Sequence, residues 1–196
     1  TNPEAQAALT GGYTYTSLPE AMERLMLGRT RNLVVAGTHG KTTTSSLLAF
    51  VLAHAGRDPS YFIGGVSQDL PNSFQVSSLE PGRPFVLEGD EYDTAFWDKV
   101  PKFNHYLPDD AILTSIEFDH ADIYADLSAV KRAFSGLIAR IRPGGRLIAC
   151  TDYDGVRELL GEAKVPVLTY GLSTTHGTRF TPKDVKVDSS GITSFV

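Results

Sequence analysis

The run Gly37-Thr38-His39-Gly40-Lys41-Thr42-Thr43 combines three ingredients for gripping a phosphate group. Glycines let successive backbone N–H groups turn toward an anion, a lysine brings a mobile positive charge, and a threonine hydroxyl offers a hard oxygen to a divalent cation. The run departs from the common G-x-x-x-x-G-K-[ST] spelling, which needs glycine where this chain has Val35; the leading glycine is displaced to Gly37. The Gly-Lys-Thr end is intact, so Lys41 can reach β- and γ-phosphates and Thr42 can ligate magnesium. The plain alternative is a Gly-rich turn with no ligand. A preceding strand, Gly-Lys-Thr and a following helix all argue against it.

Two further stretches carry groups suited to the same chemistry. In "FVLEGDEYDTAFWDK" a strand runs into Glu88, Asp90, Glu91 and Asp93. A carboxylate at a strand end is costly in a core but well placed for a metal at the carboxyl edge of a parallel sheet. Magnesium takes one or two hard oxygens from protein, and Glu88 is the candidate. The alternative is that all four acids form a solvated loop. In "ILTSIEFDHADIY" another strand runs out to Glu117, Asp119, His120 and Asp122. A lone histidine is more often structural than a ligand, yet His120 follows a strand of the same expected sheet and could converge on a metal beside Glu88.

The elements that must position these groups are legible. "SLPEAMERLML" reads as a helix with Ser17 as cap and Glu20 completing a capping box. "NLVVAG" is a β-branched strand, and "KTTTSSLLAFVLAHAG" a helix closed by Gly56 with Leu47, Leu48, Val51, Leu52 and Ala55 at helical spacing. "PSYFIGG", "PFVLEGD", "DAILTSI", "GRLIAC" and "VPVLTYG" read as strands; "DLSAVKRAFSGLIARI", stopped by Pro143-Gly144-Gly145, and "DGVRELLGEA" read as helices. Residues 67–83 read as loop with one short strand around 74–76. The alternation predicts an α/β fold: a mostly parallel sheet flanked by helices, with a β-hairpin or edge extension after residue 178.

Composition bounds the function. The 196 residues suffice for one domain, 1–196, and a net charge of −5 disfavours a broad nucleic-acid-binding face. No apolar run reaches membrane-spanning length. The single cysteine, Cys150, excludes an internal disulfide, fits a reducing compartment and reads as buried and inert. Thr1 and the apolar run beginning at the last residues suggest a domain cut from a longer chain. His54 reads as a helix-face residue, and His39 as orienting the loop rather than catalysing.

"GTHGKTTT" resembles the nucleotide loop of the Mur ligases, whose variant also has its leading glycine at the Gly37 position. "EGDEYD" and "IEFDHADIY" match the family's glutamate and histidine segments at Glu88 and His120. The resemblance covers about Gly28 to the end. It implies the family's central ATP-binding domain, P-loop NTPase-like, with ATP and Mg2+ as cofactors, Lys41, Glu88 and His120 as catalytic residues, and Thr42, Glu88 and His120 around the metal. It implies a cytoplasmic enzyme that activates the carboxylate of UDP-N-acetylmuramate as an acyl phosphate, with UDP-binding and amine-receiving domains lying outside this stretch. "EGDEYDTAFWDKVPKFNHY" is similar to the branch that adds the murein tripeptide L-alanyl-γ-D-glutamyl-meso-diaminopimelate. The alternative is the L-alanine-adding branch, which usually has serine at the Tyr92 position. An alternative of another class is a non-catalytic nucleotide-binding regulatory module; a kinase would have no use for the Glu88 and His120 stations. Tyr92, Phe96, Trp97 and Lys99 could shape a substrate pocket, with core packing an equal reading for Phe96 and Trp97. Gly64-Gly65 could admit a sugar-nucleotide or simply turn. Two positions depart from the family: Ser115 stands where asparagine is frequent, and Phe134 and Ser135, with Lys131 nearby, occupy the region of a carbamylated lysine, so that role is unassigned.

Overall fold

The structure is a computed structural model that describes residues 2–118 and 124–196. His120, Asp119 and Asp122 therefore lie outside the described residues.

In chain order the helices are α1 (Pro3–Thr10), α2 (Leu18–Met22), α3 (Lys41–His54), α4 (Leu127–Ala139) and α5 (Asp154–Leu159). The strands are β1 (Arg31–Ala36), β2 (Ser60–Phe62), β3 (Phe74–Gln75), β4 (Pro84–Gly89), β5 (Asp93–Ala95), β6 (Asp98–Pro101), β7 (Asp110–Leu113), β8 (Arg146–Cys150), β9 (Val167–Tyr170), β10 (Lys186–Val187) and β11 (Thr193–Ser194). The main sheet runs β3-β2-β4-β1-β7-β8-β9. Every pairing in it is parallel except β2 with β3. The expected α/β architecture is what the chain adopts, and β3 is the short strand anticipated inside the 67–83 loop. Among the described residues no helix is long and apolar enough to cross a membrane.

The order places the site. β1 lies between β4 and β7, and the chain leaves it toward β2 on one side and later crosses to β7 on the other. Loops diverge at such a strand's carboxyl end and open a crevice. The β period of two then sorts side chains between faces. Val34, Ala36, Phe85 and Leu87 join the large core under α4, whereas Val86 joins a smaller one with Ala49 of α3 and Tyr61. Glu88 shares its parity with Val86 and so points to the α3 side, where Thr42 lies.

Several local expectations are corrected. The segment after Ser17 forms only one α-helical stretch before its hydrogen bonding widens to a π-helix over Glu23–Leu27. Ser17 accepts from the Glu20 N–H at 3.2 Å, but the Glu20 carboxylate takes the Thr16 hydroxyl and Arg24 instead of closing the capping box. Those interactions, the Thr16 hydrogen bond first, hold its carboxyl below the usual value. Helix α1, capped by Asn2, and the β5–β6 hairpin had no counterpart in the sequence reading. The C-terminal alternation becomes a two-strand hairpin, β10–β11, in a sheet of its own, while Phe180 bridges to Tyr170 at the β9 edge.

Candidate functional site

The β1–α3 connection is held by the strand beside it. Thr38 N–H donates to the Ser115 carbonyl at 3.0 Å, His39 N–H to the Ser115 hydroxyl at 2.9 Å, and the Thr114 hydroxyl to the His39 carbonyl at 2.6 Å. Glu117 N–H closes on the Thr38 hydroxyl at 3.0 Å. Ser115 thus anchors the loop from the end of β7. Such closeness requires glycine at position 37: its φ is +142°, and a Cβ there would lie 2.1 Å from the Thr114 hydroxyl oxygen.

Helix α3 begins after Gly40, which has φ +78° and no side chain to cap the helix. Its first N–H groups and the positive end of its dipole are left for an external anion. They face a hollow of about 330 Å3 lined by residues 38–43 with Glu88, Asp90 and Tyr92. Seven predicted loop residues are therefore brought to one place. Gly37 shapes the loop, residues 38–43 line the hollow, and the His39 ring lies 3.6 Å from the Glu117 carboxylate at the exposed rim.

Two hard oxygens converge at one side. Thr42 hydroxyl donates to Glu88 Oε1 at 2.8 Å, and Gly64 N–H donates to Glu88 Oε2 at 2.8 Å. Gly64-Gly65 therefore approaches Glu88 and Thr42; a Cβ on Gly65 would meet the Thr42 methyl at 2.5 Å. The pair suits magnesium, which favours one or two protein oxygens with water and phosphate completing the shell. Among the described residues no group of three or more His, Cys, Asp and Glu side chains gathers as a metal cluster. The predicted third ligand, His120, lies outside them.

Lys41 is nearly buried. Its Nζ donates to the Gly37 carbonyl at 2.7 Å, the Thr38 carbonyl at 3.3 Å and Glu91 Oε2 at 2.9 Å. Glu91 is the residue that sequence reasoning missed. The four-acid loop is not uniformly solvated: Glu88 and Glu91 are buried, Asp90 pairs with Lys102 at 3.0 Å, and Asp93 with Lys99 at 2.7 Å. The signal that could have found Glu91 is the need of a buried lysine for a counter-ion. Tyr124 hydroxyl in turn donates to the Glu91 carbonyl at 2.5 Å. Burial, with Glu91 and Asp93 adding their charge, pushes Tyr124 up to about 12. Burial above all, with Asp90 and Glu88 assisting, also raises Tyr106 well beyond its ordinary value.

Other candidates separate. Tyr92 lines the hollow, whereas Phe96 and Trp97 stand exposed on the turn between β5 and β6, with Tyr15 edge-on to Trp97 at 5.1 Å. Phe134 is core, and Lys131 reaches Glu158. Cys150 is buried, and burial raises its thiol above the ordinary value.

Comparison with known proteins adds a family. The sequence model of the Mur ligase middle domain matches residues 35–196. The UDP-N-acetylmuramate–L-alanine ligase of Kineococcus radiotolerans is 42% identical over 182 residues, covering 91% of this chain and 36% of that protein. The Escherichia coli K12 UDP-N-acetylmuramate–L-alanyl-γ-D-glutamyl-meso-2,6-diaminoheptandioate ligase is 46% identical over 149 residues, covering 75% of this chain and 32% of that protein. A crystal structure of the corresponding diaminopimelate ligase from Neisseria meningitides superposes with a TM-score of 0.82 at 36% identity, over 98% of this chain and 60% of that one. This chain spans roughly a third of the length of those two curated relatives.

Proposed function

Because the chain belongs to the Mur ligase family through its middle domain, we propose that it is the ATP-binding, catalytic domain of a ligase that joins a murein tripeptide to UDP-N-acetylmuramate. The protein carrying it acts in the cytoplasm, in cell-wall recycling, and supplies the UDP-binding and amine-receiving domains from elsewhere in its sequence. The observation that carries the reading is the meeting of Lys41, the uncapped start of α3 and the Thr42–Glu88 pair around one hollow at the carboxyl edge of β1 and β4.

The reaction has two steps. The lactyl carboxylate of UDP-N-acetylmuramate attacks the γ-phosphorus of ATP, forming a C–O–P bond and breaking the bond to ADP. The tripeptide amine then attacks the acyl carbon and phosphate leaves. Residues 38–43 cradle the β- and γ-phosphates with backbone N–H groups, and Lys41 donates to the transferring phosphoryl oxygens. Thr42 and Glu88 would hold magnesium, with His120 as the further candidate ligand; the ion would supply charge neutralisation during phosphoryl transfer. Gly64 N–H fixes the Glu88 carboxylate so that its other oxygen stays turned to Thr42.

The tripeptide is preferred over L-alanine on the 46% identity to the Escherichia coli enzyme and the 0.82 TM-score to the Neisseria structure. The L-alanine branch stays the second reading, on 42% identity across more of the chain. The test follows ADP release by the full-length protein with ATP, magnesium and UDP-N-acetylmuramate, offering tripeptide and L-alanine in parallel. Tripeptide-dependent release supports the first reading and L-alanine dependence the second. Release independent of either amine brings the regulatory module forward. Lys41→Ala should abolish ADP release, by at least about a thousandfold; near-normal turnover would sink the site.

A further inference from the structure

The Lys41 ammonium has three N–H donors, and three partners take them: two loop carbonyls and the Glu91 carboxylate. A phosphate oxygen can gain Lys41 only if one of those partners gives way. The two kinds of partner are not equivalent. The carbonyls are neutral and belong to the loop that a phosphate would reshape. Glu91 is charged, its side chain is 2% exposed, and that of Lys41 is 8% exposed. Breaking a buried ion pair leaves an uncompensated charge, which is strongly unfavourable. Position points the same way. Lys41 lines the hollow but Glu91 does not, so the carboxylate stands behind the ammonium on the protein side. Its backbone is fixed there by the Tyr124 hydroxyl on its carbonyl, and the neighbouring Tyr92 carbonyl accepts from Lys102 N–H at 3.1 Å.

We propose that Glu91 is a positioning residue for Lys41. It stays paired when nucleotide arrives, holding the ammonium at the wall of the hollow, and the Gly37 and Thr38 carbonyls are the partners that give way. This rests on the nucleotide-site reading above. It has a consequence for affinity: Glu91 cancels the charge of Lys41, so the hollow attracts phosphate less than the bare lysine would, while the direction of the ammonium is fixed for phosphoryl transfer.

The test uses Glu91→Gln in the full-length protein, since glutamine keeps the shape and an acceptor for Lys41 but removes the charge. Calorimetry with Mg–ADP should show binding tightened by roughly tenfold, and steady-state turnover should show KM for ATP and kcat both falling, kcat by roughly tenfold. The same substitution is then made in a Lys41→Met background, where it should leave ADP affinity unchanged, because Glu91 acts through the ammonium. The proposal is overturned by Glu91→Gln binding ADP equally or more weakly than the parent, by an unchanged kcat, or by an effect on affinity that persists beside Lys41→Met. A parent protein that binds no ADP overturns the nucleotide-site reading instead.

Discussion

The two helices that flank β1 from opposite faces are built on different principles. Helix α4 buries Val130, Phe134, Leu137 and Ile138, large side chains on one stripe against the main core. Helix α3 buries Lys41, Ser45, Ser46 and Ala49, while Leu47 and Val51 are 60% and 52% exposed. Of the apolar positions that looked like its core face in the sequence, Leu47, Val51 and Ala55 are therefore turned outward, while Leu48 and Leu52 pack half-buried against the smaller core. Small and polar residues let α3 sit close against β4, which brings Thr42 onto Glu88 at 2.8 Å. A bulky face would hold the helix further off, since interaxial distance follows the side chains at the contact. The difference teaches a division of labour: the α4 face supplies stability, and the α3 face sacrifices apolar burial to place a site.

The largest effect should come from the α4 face. Phe134 is fully buried and its ring lies 5.6 Å from that of Phe103. Phe134→Ala should cost about 3–5 kcal/mol in urea unfolding, through lost transfer energy and the cavity left behind. Where folded protein remains, its Mg–ADP affinity should match the parent. A variant that kept stability and lost ADP would reverse the assignment of roles.

On the α3 side, Gly37→Ala should cost less stability and, unlike Phe134→Ala, should also weaken ADP binding. The new Cβ meets the Thr114 hydroxyl oxygen at 2.1 Å and the Ser115 nitrogen at 2.8 Å, at a φ of +142°. Stability should fall by about 1–3 kcal/mol, and Mg–ADP affinity should fall by at least tenfold as the loop leaves its anchors. Chemical denaturation and calorimetry on the same preparation separate the two numbers.

A smaller effect joins the two faces. Tyr106 is part of the α4-side core, and its ionisation is opposed by burial first and then by Asp90 and Glu88 near the site. Its folded pKa is raised, so the stability it contributes is full below the unfolded value near 10 and is lost as pH rises toward the folded value. Urea unfolding at pH 8 and pH 11 should show an alkaline loss that Tyr106→Phe reduces by about 1 kcal/mol, with Tyr124 and Tyr170, whose phenols burial also raises, contributing to the rest. An unchanged pH dependence in Tyr106→Phe would assign the alkaline loss elsewhere, Tyr170 and Tyr124 being the next phenols to test.

Much of the fold was legible because strand and helix patterns in α/β chains are local. β2, β4, β7, β8 and β9 and helices α3, α4 and α5 fall within the segments predicted from their runs and stops, and β1 starts one residue before its predicted run. The strand–loop–helix form of residues 31–54 was legible because glycine, lysine and threonine there serve backbone geometry and charge at fixed spacing. What was not legible depended on tertiary contacts. Nothing local tells that Glu91 rather than Asp90 turns inward to Lys41, since both follow the same strand. Nothing in the period of α3 shows that Ser45 and Ser46, not Leu47 and Val51, face the sheet: the helix is apolar enough on either side to mislead. The β5–β6 hairpin was hidden because "TAFWDK" lacks a glycine or asparagine turn signal.

Leu47 gives the finest test of the contrast. A leucine in the middle of a helix ordinarily marks its buried stripe, and its truncation in a core costs several kcal/mol. Here Leu47 is exposed, at the wall of a hollow of about 520 Å3 that it shares with Phe50 and Val66. Leu47→Gln should shift urea-unfolding stability by no more than about 0.5 kcal/mol, because it removes little buried apolar surface and glutamine is a helix former of similar propensity. The matching substitution on α4, Leu137→Gln, places a polar group in the main core and should be severe. Equal losses at the two positions would mean that α3 also depends on its leucines. The close seat of Thr42 on Glu88 would then need a cause other than the small residues beneath the helix.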